Sequence, residues 1–270
     1  MKLEEILARW RLREQNKQAG IEMWNAMAAG FSQDELPTFA NNRFLQLLQK
    51  HQMITADALV LDVGCGTGKY SLALAGHCQK IIGIDFSPAM IASARKKAAE
   101  KKLKNVEFYC LDWHEVNLQE KGWEKKFDLV MARNTPAVQS AATLQKLSLA
   151  GRGWCVLSKP TRRTDPVSDE IRRLVGIAEK RESSDEDIAY AFSLLWLEGR
   201  LPYLDYEEQQ WEMQKTLPEA YGMYINRMKT YRRLSLAEEE KIKQYLKSIA
   251  RDGLVREKVS TVITTFYWHV

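Results

Sequence analysis

The feature that most constrains the fold is an apolar segment that runs directly into a turn of alternating glycines. Residues 59–69 read LVLDVGCGTGK, with Asp62 just before the glycines. The apolar residues suit a strand that is buried on both faces of a parallel sheet. Gly64, Gly66 and Gly68 can adopt a positive φ and leave room for a ligand against the backbone. The segment therefore predicts a strand, a tight turn and a helix whose first amide groups face the turn.

A second apolar run, IIGIDFS, contains Asp85 at its end. An acid at the carboxyl end of the second strand is placed to accept hydrogen bonds from a ribose diol. The glycine spacing, D-x-G-x-G-x-G, differs from the G-x-G-x-x-G of dinucleotide-binding proteins and does not match a phosphate-binding P-loop. A tight turn that binds no ligand is the structural alternative.

Together with the residues downstream, this pattern resembles the first motif of class I S-adenosylmethionine-dependent methyltransferases. The resemblance implies an α/β fold with a doubly wound, mostly parallel, Rossmann-like sheet of seven strands, the last of them antiparallel. It also implies a helical cap at the N-terminus and a helical insertion after strand 5. The implied cofactor is S-adenosyl-L-methionine.

The resemblance also implies roles for the residues at the strand ends. Asp62 and the glycine turn would hold the methionine moiety, and Asp85 would hold the ribose hydroxyls. The other implied contacts are Asp112 at the adenine amino group, the Trp113 amide beside the ring, Phe86 and Met90 on its faces, and the backbone of Arg133 near the methionine amine. The fold would bring these residues together, because ligands bind beyond the carboxyl ends of the strands.

Strand and helix patterns alternate five times along the chain, which predicts a parallel sheet with right-handed crossovers. Ser87 and Pro88 are typical of a helix start. The fifth strand is predicted at residues 154–159, and the last, residues 259–269, has its predicted partner at 203–214. The predicted units are an N-terminal helical cap (1–55), the cofactor-binding core (56–162), a helical insertion that caps the substrate (163–202) and the C-terminal part of the sheet with helices (203–270).

Aromatic residues mark the two regions outside the predicted core. Trp24 and Phe31 fall on one face of a helix in the N-terminal segment. They either pack as ordinary core or close over the cofactor. The residues expected on the acceptor side are Asn134, Trp196, Tyr203, Tyr221 and Tyr224.

The composition is that of a globular protein that can bury one substantial core. The chain has 270 residues, of which 45% are hydrophobic and 28% charged. We expect a cytoplasmic protein without a membrane partner, because the sequence shows neither a long apolar stretch nor a signal-peptide pattern. The cysteines are scattered singly without a C-x-x-C pair, which argues against a zinc site or a disulfide framework.

The net charge of +5 favours anionic partners only mildly. The densest basic patch comprises Lys159, Arg162, Arg163, Arg172 and Arg173, and acids interrupt it. The patch is either a solvated surface or a contact for an anionic substrate, with nucleic-acid binding as a weaker alternative.

The end of the fourth predicted strand discriminates among methyl acceptors. Methyltransferases of this class that modify nucleic-acid bases or protein amides place [DN]-P-P-[YFW] there, and its polar side chain, backbone carbonyl and aromatic ring grip a planar amino group. This chain has Asn134-Thr135-Pro136-Ala137, without the first proline and the aromatic residue. The departure disfavours base methylation.

We therefore expect an enzyme that transfers a methyl group to a small molecule by aligning and desolvating the nucleophile, without a metal. It would act as a monomer or homodimer. No general base is assigned, since His114 and His51 are single histidines of the kind that are more often structural. An RNA or protein methyltransferase and a non-catalytic S-adenosylmethionine-binding protein are the alternatives.

Overall fold

The computed structural model describes residues 2–12, 16–32, 35–179 and 184–270. Within them the strands are β1 (Leu59–Val63), β2 (Lys80–Asp85), β3 (Val106–Cys110), β4 (Phe127–Arg133), β5 (Gly151–Thr164), β6 (Tyr203–Thr216) and β7 (Leu254–His269). The helices are α1 (Leu3–Arg9), α2 (Lys17–Ser32), α3 (Arg43–Lys50), α4 (Lys69–Leu74), α5 (Pro88–Glu100), α6 (Leu118–Lys121), α7 (Ala141–Ala150), α8 (Pro166–Leu174), α9 (Asp185–Leu197), α10 (Leu217–Lys229) and α11 (Leu236–Ile249).

All seven strands form one sheet in the order β3-β2-β1-β4-β5-β7-β6. The pairs among β1 to β5 are parallel, and β7 is antiparallel to both β5 and β6. The predicted doubly wound sheet with an antiparallel last strand is confirmed. The strand order reverses between β1 and β4, which is the point where open sheets of this kind bind ligands.

Helices cover both faces of the sheet, which explains why its central strands are almost entirely apolar. One face packs under α1, α7 and α9, and the other under α3, α4 and α5. The strand residues Val60, Leu61 and Val63 are fully buried between these layers. Ser87 caps α5 by accepting a hydrogen bond from the Met90 amide, as its position in the sequence predicts.

Strands β5, β6 and β7 are longer than the sequence predicts. Strand β4 ends at Arg133, opposite Ser158, whereas β5 continues to Thr164 alongside β7. We call this extension beyond β4 (residues 159–164, 206–216 and 254–264) the β-ribbon. Its three strands pair only with one another. The sequence pattern of these strands does not show where the main sheet ends.

Helices α8, α10 and α11 pack on the β-ribbon around a third hydrophobic cluster. Ile171, Met228 and Leu246 are fully buried there, one from each helix. This layer continues past the carboxyl end of β4. The layer therefore lies at the carboxyl edge of the central strands, where the predicted site residues are found.

Helix α9 belongs to the main core and not to a cap over the site. Its buried residues Ala191, Leu194 and Leu195 share a cluster with Leu157 and Phe266 of the sheet. The predicted insertion therefore divides between two layers, with α8 on the β-ribbon and α9 on the sheet. The apolar pattern of α9 predicts that the helix is buried, but it does not identify the surface that buries it.

Candidate functional site

The glycine turn after β1 has the backbone geometry that the sequence predicts. Gly64, Gly66 and Gly68 have φ values of +70°, +55° and +78°, where glycine is favoured. A β-carbon on Gly64 would overlap the Thr135 hydroxyl, and one on Gly68 would lie 2.7 Å from Phe108 Cζ. A β-carbon on Gly66 would meet only a methionine sulfur, at 4.0 Å. Packing within the protein requires the first and third glycines, whereas the second faces open space.

Asp85 ends β2 and is held by two backbone amides. Its carboxylate accepts hydrogen bonds from Gly66 N at 3.0 Å and from Ser87 N at 2.8 Å. Burial raises the pKa of this carboxyl above its usual value. Each carboxylate oxygen has a second lone pair, so Asp85 can accept further hydrogen bonds at the edge of the turn.

Asp62 is buried beneath α4. Its Oδ2 accepts a hydrogen bond from Ser71 Oγ at 2.6 Å. Burial raises the pKa of Asp62 to about 7, although the hydrogen bond from Ser71 opposes that shift. No lysine or arginine in the described ranges forms an ion pair with it. Asp62 is thus a buried acid that lacks a cationic partner.

Asp112, just beyond β3, binds two groups. Its Oδ1 accepts a hydrogen bond from the His114 amide at 3.0 Å, and its Oδ2 lies 2.8 Å from Lys17 Nζ. Burial favours the neutral form of Asp112, but the hydrogen bonds from Lys17 and His114 outweigh it and lower the pKa. Lys17 comes from α2 and also pairs with Glu115 at 2.7 Å.

The side chain of Trp113 is a core residue. It is 2% exposed, and its Nε1 donates a hydrogen bond to the Thr143 carbonyl. Lys146 fixes this segment, because its Nζ donates to the carbonyl oxygens of Trp113, His114 and Val116 at 2.9 to 3.2 Å. The family resemblance assigns a role only to the backbone amide of Trp113, which follows β3 at the carboxyl edge of the sheet.

Phe86 and Met90 lie in and just after the connection between β2 and α5. The Phe86 ring is 3.8 Å from the position of a β-carbon on Gly20 of α2. Met90 is buried in the first turn of α5, with its Sδ facing Gly66. Of the two predicted adenine contacts, Met90 therefore lies beside the open part of the turn and Phe86 lies against α2.

Helix α2 is tied to the loops that follow β1, β2 and β3. The Phe31 carbonyl accepts a hydrogen bond from Thr67 Oγ1 at 3.4 Å, in the first loop. The Asn25 side chain accepts from Ser87 Oγ at 2.7 Å, in the second. Lys17 Nζ lies 2.8 Å from Asp112 Oδ2, in the third loop. One helix therefore covers all three loops at the carboxyl edge.

The predicted lid residues Trp24 and Phe31 both lie on α2. Their ring centroids are 6.3 Å apart. Helix α2 packs against both α5 and α10. The pair is therefore part of the helix that covers the three loops.

The Arg133 side chain is buried on the face that α3 and α4 cover. Its guanidinium lies 4.3 Å from the centroid of the Phe44 ring and 4.9 Å from that of Tyr70. Each Nη reaches one acceptor at 3.4 Å, Ser158 Oγ and Glu207 Oε2, and Nε has no hydrogen-bond partner. The resemblance concerns only the backbone of this residue.

The loop after β4 is held by a buried lysine. Asn134 is exposed with φ +50°, whereas Thr135 is buried. The Thr135 carbonyl accepts a hydrogen bond from Lys159 Nζ at 3.1 Å. Lys159 is 3% exposed, and burial lowers its pKa to about 8.

Two residues expected on the acceptor side lie away from the carboxyl edge of the central strands. Trp196 stacks on Phe192 at the outer surface of α9 and is 57% exposed. Tyr203 stacks on Tyr267 in the edge strand β6, which is four positions from β1 in the sheet. The expectation fails for these two because aromatic spacing does not distinguish a pocket wall from a sheet edge.

The two tyrosines of α10 belong to the third hydrophobic cluster. Tyr224 is fully buried, and its hydroxyl donates a hydrogen bond to Glu257 Oε2 at 2.6 Å. Tyr221 packs against the same cluster. Tyr224 therefore supports the layer on the β-ribbon and does not line a pocket.

Three polar residues that organise the edge were not predicted: Lys17, Asn25 and Lys146. They lie on helices, where a polar residue ordinarily indicates a solvated face. Lys159 was predicted as part of the basic patch, but it is buried and organises the loop after β4. A signal existed only for Lys159, because the apolar strand WCVLS leads directly into it. A lysine at the end of a buried strand is a candidate for a buried amine.

The basic patch is largely neutralised. Arg163 pairs with Asp165 at 2.7 Å, and Arg172 pairs with Asp169 at 2.6 Å. Arg173 pairs with Glu170. Across the described ranges, no cluster of three or more histidine, cysteine or acidic side chains could hold a metal ion. None of the described helices is long and apolar enough to cross a bilayer.

A sheet whose order reverses beside an acid-flanked glycine turn, and whose last strand is antiparallel, is the arrangement of class I S-adenosylmethionine-dependent methyltransferases. The family model described as a methyltransferase domain matches residues 54–247. The chain belongs to this methyltransferase family, as the glycine motif predicts, and its cofactor is S-adenosylmethionine.

The curated relatives match only part of the chain. It is 41% identical over 64 residues to the human tRNA (uracil-5-)-methyltransferase homolog A, a match that covers 24% of this chain and 10% of that protein. It is 33% identical over 125 residues to the 23S rRNA (uracil(1939)-C(5))-methyltransferase RlmD of Shewanella amazonensis, which covers 42% and 28%. The chain therefore spans less than a third of the length of these relatives.

A solved structure resembles almost the whole chain. The YcgJ protein from Bacillus subtilis aligns with a TM-score of 0.51 and 22% identity, over 83% of this chain and 97% of that one. At this identity the likeness shows the fold alone.

Proposed function

We propose that the protein transfers the methyl group of S-adenosylmethionine to a small molecule. The sulfonium of the cofactor supplies an activated methyl group, so the protein has to bind, align and exclude water. The turn fits this cofactor because Gly66 leaves its backbone open and Asp85 has acceptor capacity beside it. In this proposal Asp85 holds the ribose, Asp112 the adenine and Asp62 the methionine amine.

The position of α2 over the loops is the observation that best supports a small-molecule acceptor. The helix is tied at Lys17, Asn25 and Phe31 to three successive loops, so it spans the edge where the acceptor must approach. A site under such a helix is accessible to a small acceptor more readily than to a folded RNA. We propose that Trp24 and Phe31 close over the cofactor and that the exposed Asn134 contacts the acceptor.

The loop after β4 supports an acceptor other than a planar amino group. A loop of the [DN]-P-P-[YFW] type grips such a group partly with the backbone carbonyl after its polar residue. Here the Thr135 carbonyl occupies that position and is already bonded to Lys159 Nζ at 3.1 Å. An amino group bound at the second lone pair of this carbonyl would lie next to the buried Lys159 amine, a second donor beside it.

An RNA uracil is the second candidate, because the curated relatives carry uracil methylation in their names. Two observations oppose it. The arginines of the basic patch are paired with acids and so offer little charge to phosphates. Methylation at carbon 5 of uracil also requires a nucleophile that adds to the ring, ordinarily a thiolate. Burial raises the pKa of all four cysteines and disfavours the thiolate.

Methyl-tritiated S-adenosylmethionine distinguishes the two candidates. The purified protein is incubated with a low-molecular-mass metabolite extract or with total tRNA and rRNA, and an Asp85→Ala variant serves as the control. We expect label in the metabolite fraction that depends on Asp85. Label in RNA, together with RNA binding that weakens steeply as salt rises, would instead favour the second candidate.

A further inference from the structure

Two buried charged side chains share one face of the sheet at its carboxyl edge. Asp62 lies opposite Met131 in the register of β1 and β4. Arg133 lies two residues further along β4, so its side chain leaves the same face. Both contact α4, Asp62 through Ser71 and Arg133 through Tyr70. Helix α4 begins directly after the glycine turn.

Neither charge is fully satisfied by the residues around it. The Arg133 side chain is 4% exposed and its Nε has no hydrogen-bond partner. Its contacts with Glu207 and Ser158, at 3.4 Å, are long for charge-assisted hydrogen bonds. Asp62 has a hydroxyl partner but no cation in the described part of the chain. Buried groups that remain unsatisfied in this way call for an explanation.

We propose that the Arg133 side chain binds the α-carboxylate of the cofactor's methionine part, while Asp62 accepts its α-ammonium group. The inference rests on the proposed use of S-adenosylmethionine at this turn. An α-amino acid is a zwitterion whose two charges lie close together, and the sheet presents an acid and an arginine on neighbouring strands of one face. The carboxylate would give the Arg133 guanidinium an anionic acceptor, and the ammonium group would give Asp62 a cationic partner.

The surroundings of Arg133 suit this role. The rings of Phe44 and Tyr70 lie close to the guanidinium, at 4.3 and 4.9 Å from their centroids, and restrict its movement. A guanidinium held in place loses little freedom when it binds a carboxylate, and its planar donors match the two oxygens. Glu207 Oε2, 3.4 Å from one Nη, partly offsets the charge of the guanidinium.

Calorimetry with two ligands tests the proposal. The first is S-adenosylhomocysteine. The second is its decarboxylated analogue, which keeps the adenosine and the ammonium group but lacks the carboxylate. Arg133→Met should weaken binding of the first about 10- to 100-fold, as expected for lost charge-assisted hydrogen bonds. The same change should leave the affinity for the second within about threefold, because no bond to Arg133 is lost.

Arg133→Lys and Arg43→Met complete the set. The lysine keeps the charge without the planar fork, so it should give an intermediate loss, again only for the carboxylate ligand. Arg43 is a neighbouring exposed arginine paired with Asp205, and its loss should affect neither ligand. If Arg133→Met does not fold, the lysine variant gives the same comparison.

Two outcomes would overturn the assignment. An equal loss for both ligands would make Arg133 a structural residue, and an unchanged affinity for S-adenosylhomocysteine would place the carboxylate elsewhere. Wild-type protein that binds neither ligand would instead refute the proposed function itself. The wild-type measurement therefore separates the two failures.

Discussion

Substitution of the three glycines by alanine, one at a time, should separate ligand binding from folding. Gly66→Ala places a β-carbon in open space, with a methionine sulfur at 4.0 Å. Gly68→Ala places one 2.7 Å from Phe108 Cζ and 3.2 Å from Ala94 Cβ. Gly64→Ala overlaps the Thr135 hydroxyl. All three positions have a positive φ, so the backbone penalty is common to the series.

The magnitudes follow from these contacts. The positive φ costs an alanine about 1–2 kcal/mol of folding stability at each position. Overpacking adds about 1–3 kcal/mol at Gly68, and at least as much at Gly64, where the overlap is closer. Gly66 has no such added cost. Its β-carbon would instead occupy the space of a cofactor against the backbone, and we expect affinity to fall at least about 100-fold, or about 2.7 kcal/mol.

Urea unfolding of the ligand-free variants and calorimetry with S-adenosylhomocysteine measure the two effects. Gly66→Ala should remain folded and lose binding, whereas Gly64→Ala and Gly68→Ala should lose stability first. If Gly66→Ala binds S-adenosylhomocysteine like the wild type, the Gly66 backbone does not contact the cofactor. The turn would then be a purely structural connection.

Three further predictions concern the residues around the turn. Asp85→Ala should weaken S-adenosylhomocysteine binding by about 2–3 kcal/mol in calorimetry, because charge-assisted hydrogen bonds are lost; an unchanged affinity would place the ribose elsewhere. The pKa of Lys159 is about 8 in the folded protein and about 10.4 when unfolded, so the unfolded state holds more protons between these values and wild-type stability should rise with pH there. Lys159→Met should abolish this rise in the free energy of unfolding, which is about 3 kcal/mol at most. Parallel pH profiles of the two proteins in urea unfolding would refute the prediction. Amides of α2 should exchange more slowly with S-adenosylhomocysteine bound, and equal exchange rates would mean that α2 is not a lid.

The sequence predicts the central sheet well because its rules are local. A buried parallel strand, a glycine turn and a helix N-cap each leave a signature within a few residues, and Ser87 and Gly66 lie where those signatures place them. The order of the strands then follows from topological regularities and the family resemblance. The β-ribbon could not be predicted, because pairing beyond β4 depends on partners far away in the chain.

The sequence predicts only those parts of the candidate site whose positions are set by the backbone of the strands and the glycine turn. Asp85 and the glycines have positions fixed by the strand ends, so their sequence spacing is informative. Lys17 meets Asp112, and Lys159 meets Thr135, across long sequence separations, and nothing local marks either contact. The aromatic residues of α9 and α10 were expected near the acceptor, but their periodicity reports burial and not the identity of the neighbour.

The β-ribbon joins a third hydrophobic cluster to the two clusters of the main sheet through three strands. The cluster around Met228 and Leu246 is built from α8, α10, α11, their connections and the ribbon, and it shares no residue with the clusters on the main sheet. Such a unit can open cooperatively while the sheet below stays intact, with its own free energy in native-state hydrogen exchange. Helix α10 of this unit also packs against α2, which is tied to the glycine turn, so opening of the unit would loosen the cover over the cofactor loops. The β-ribbon thus couples the stability of an outer helical layer to access to the cofactor loops.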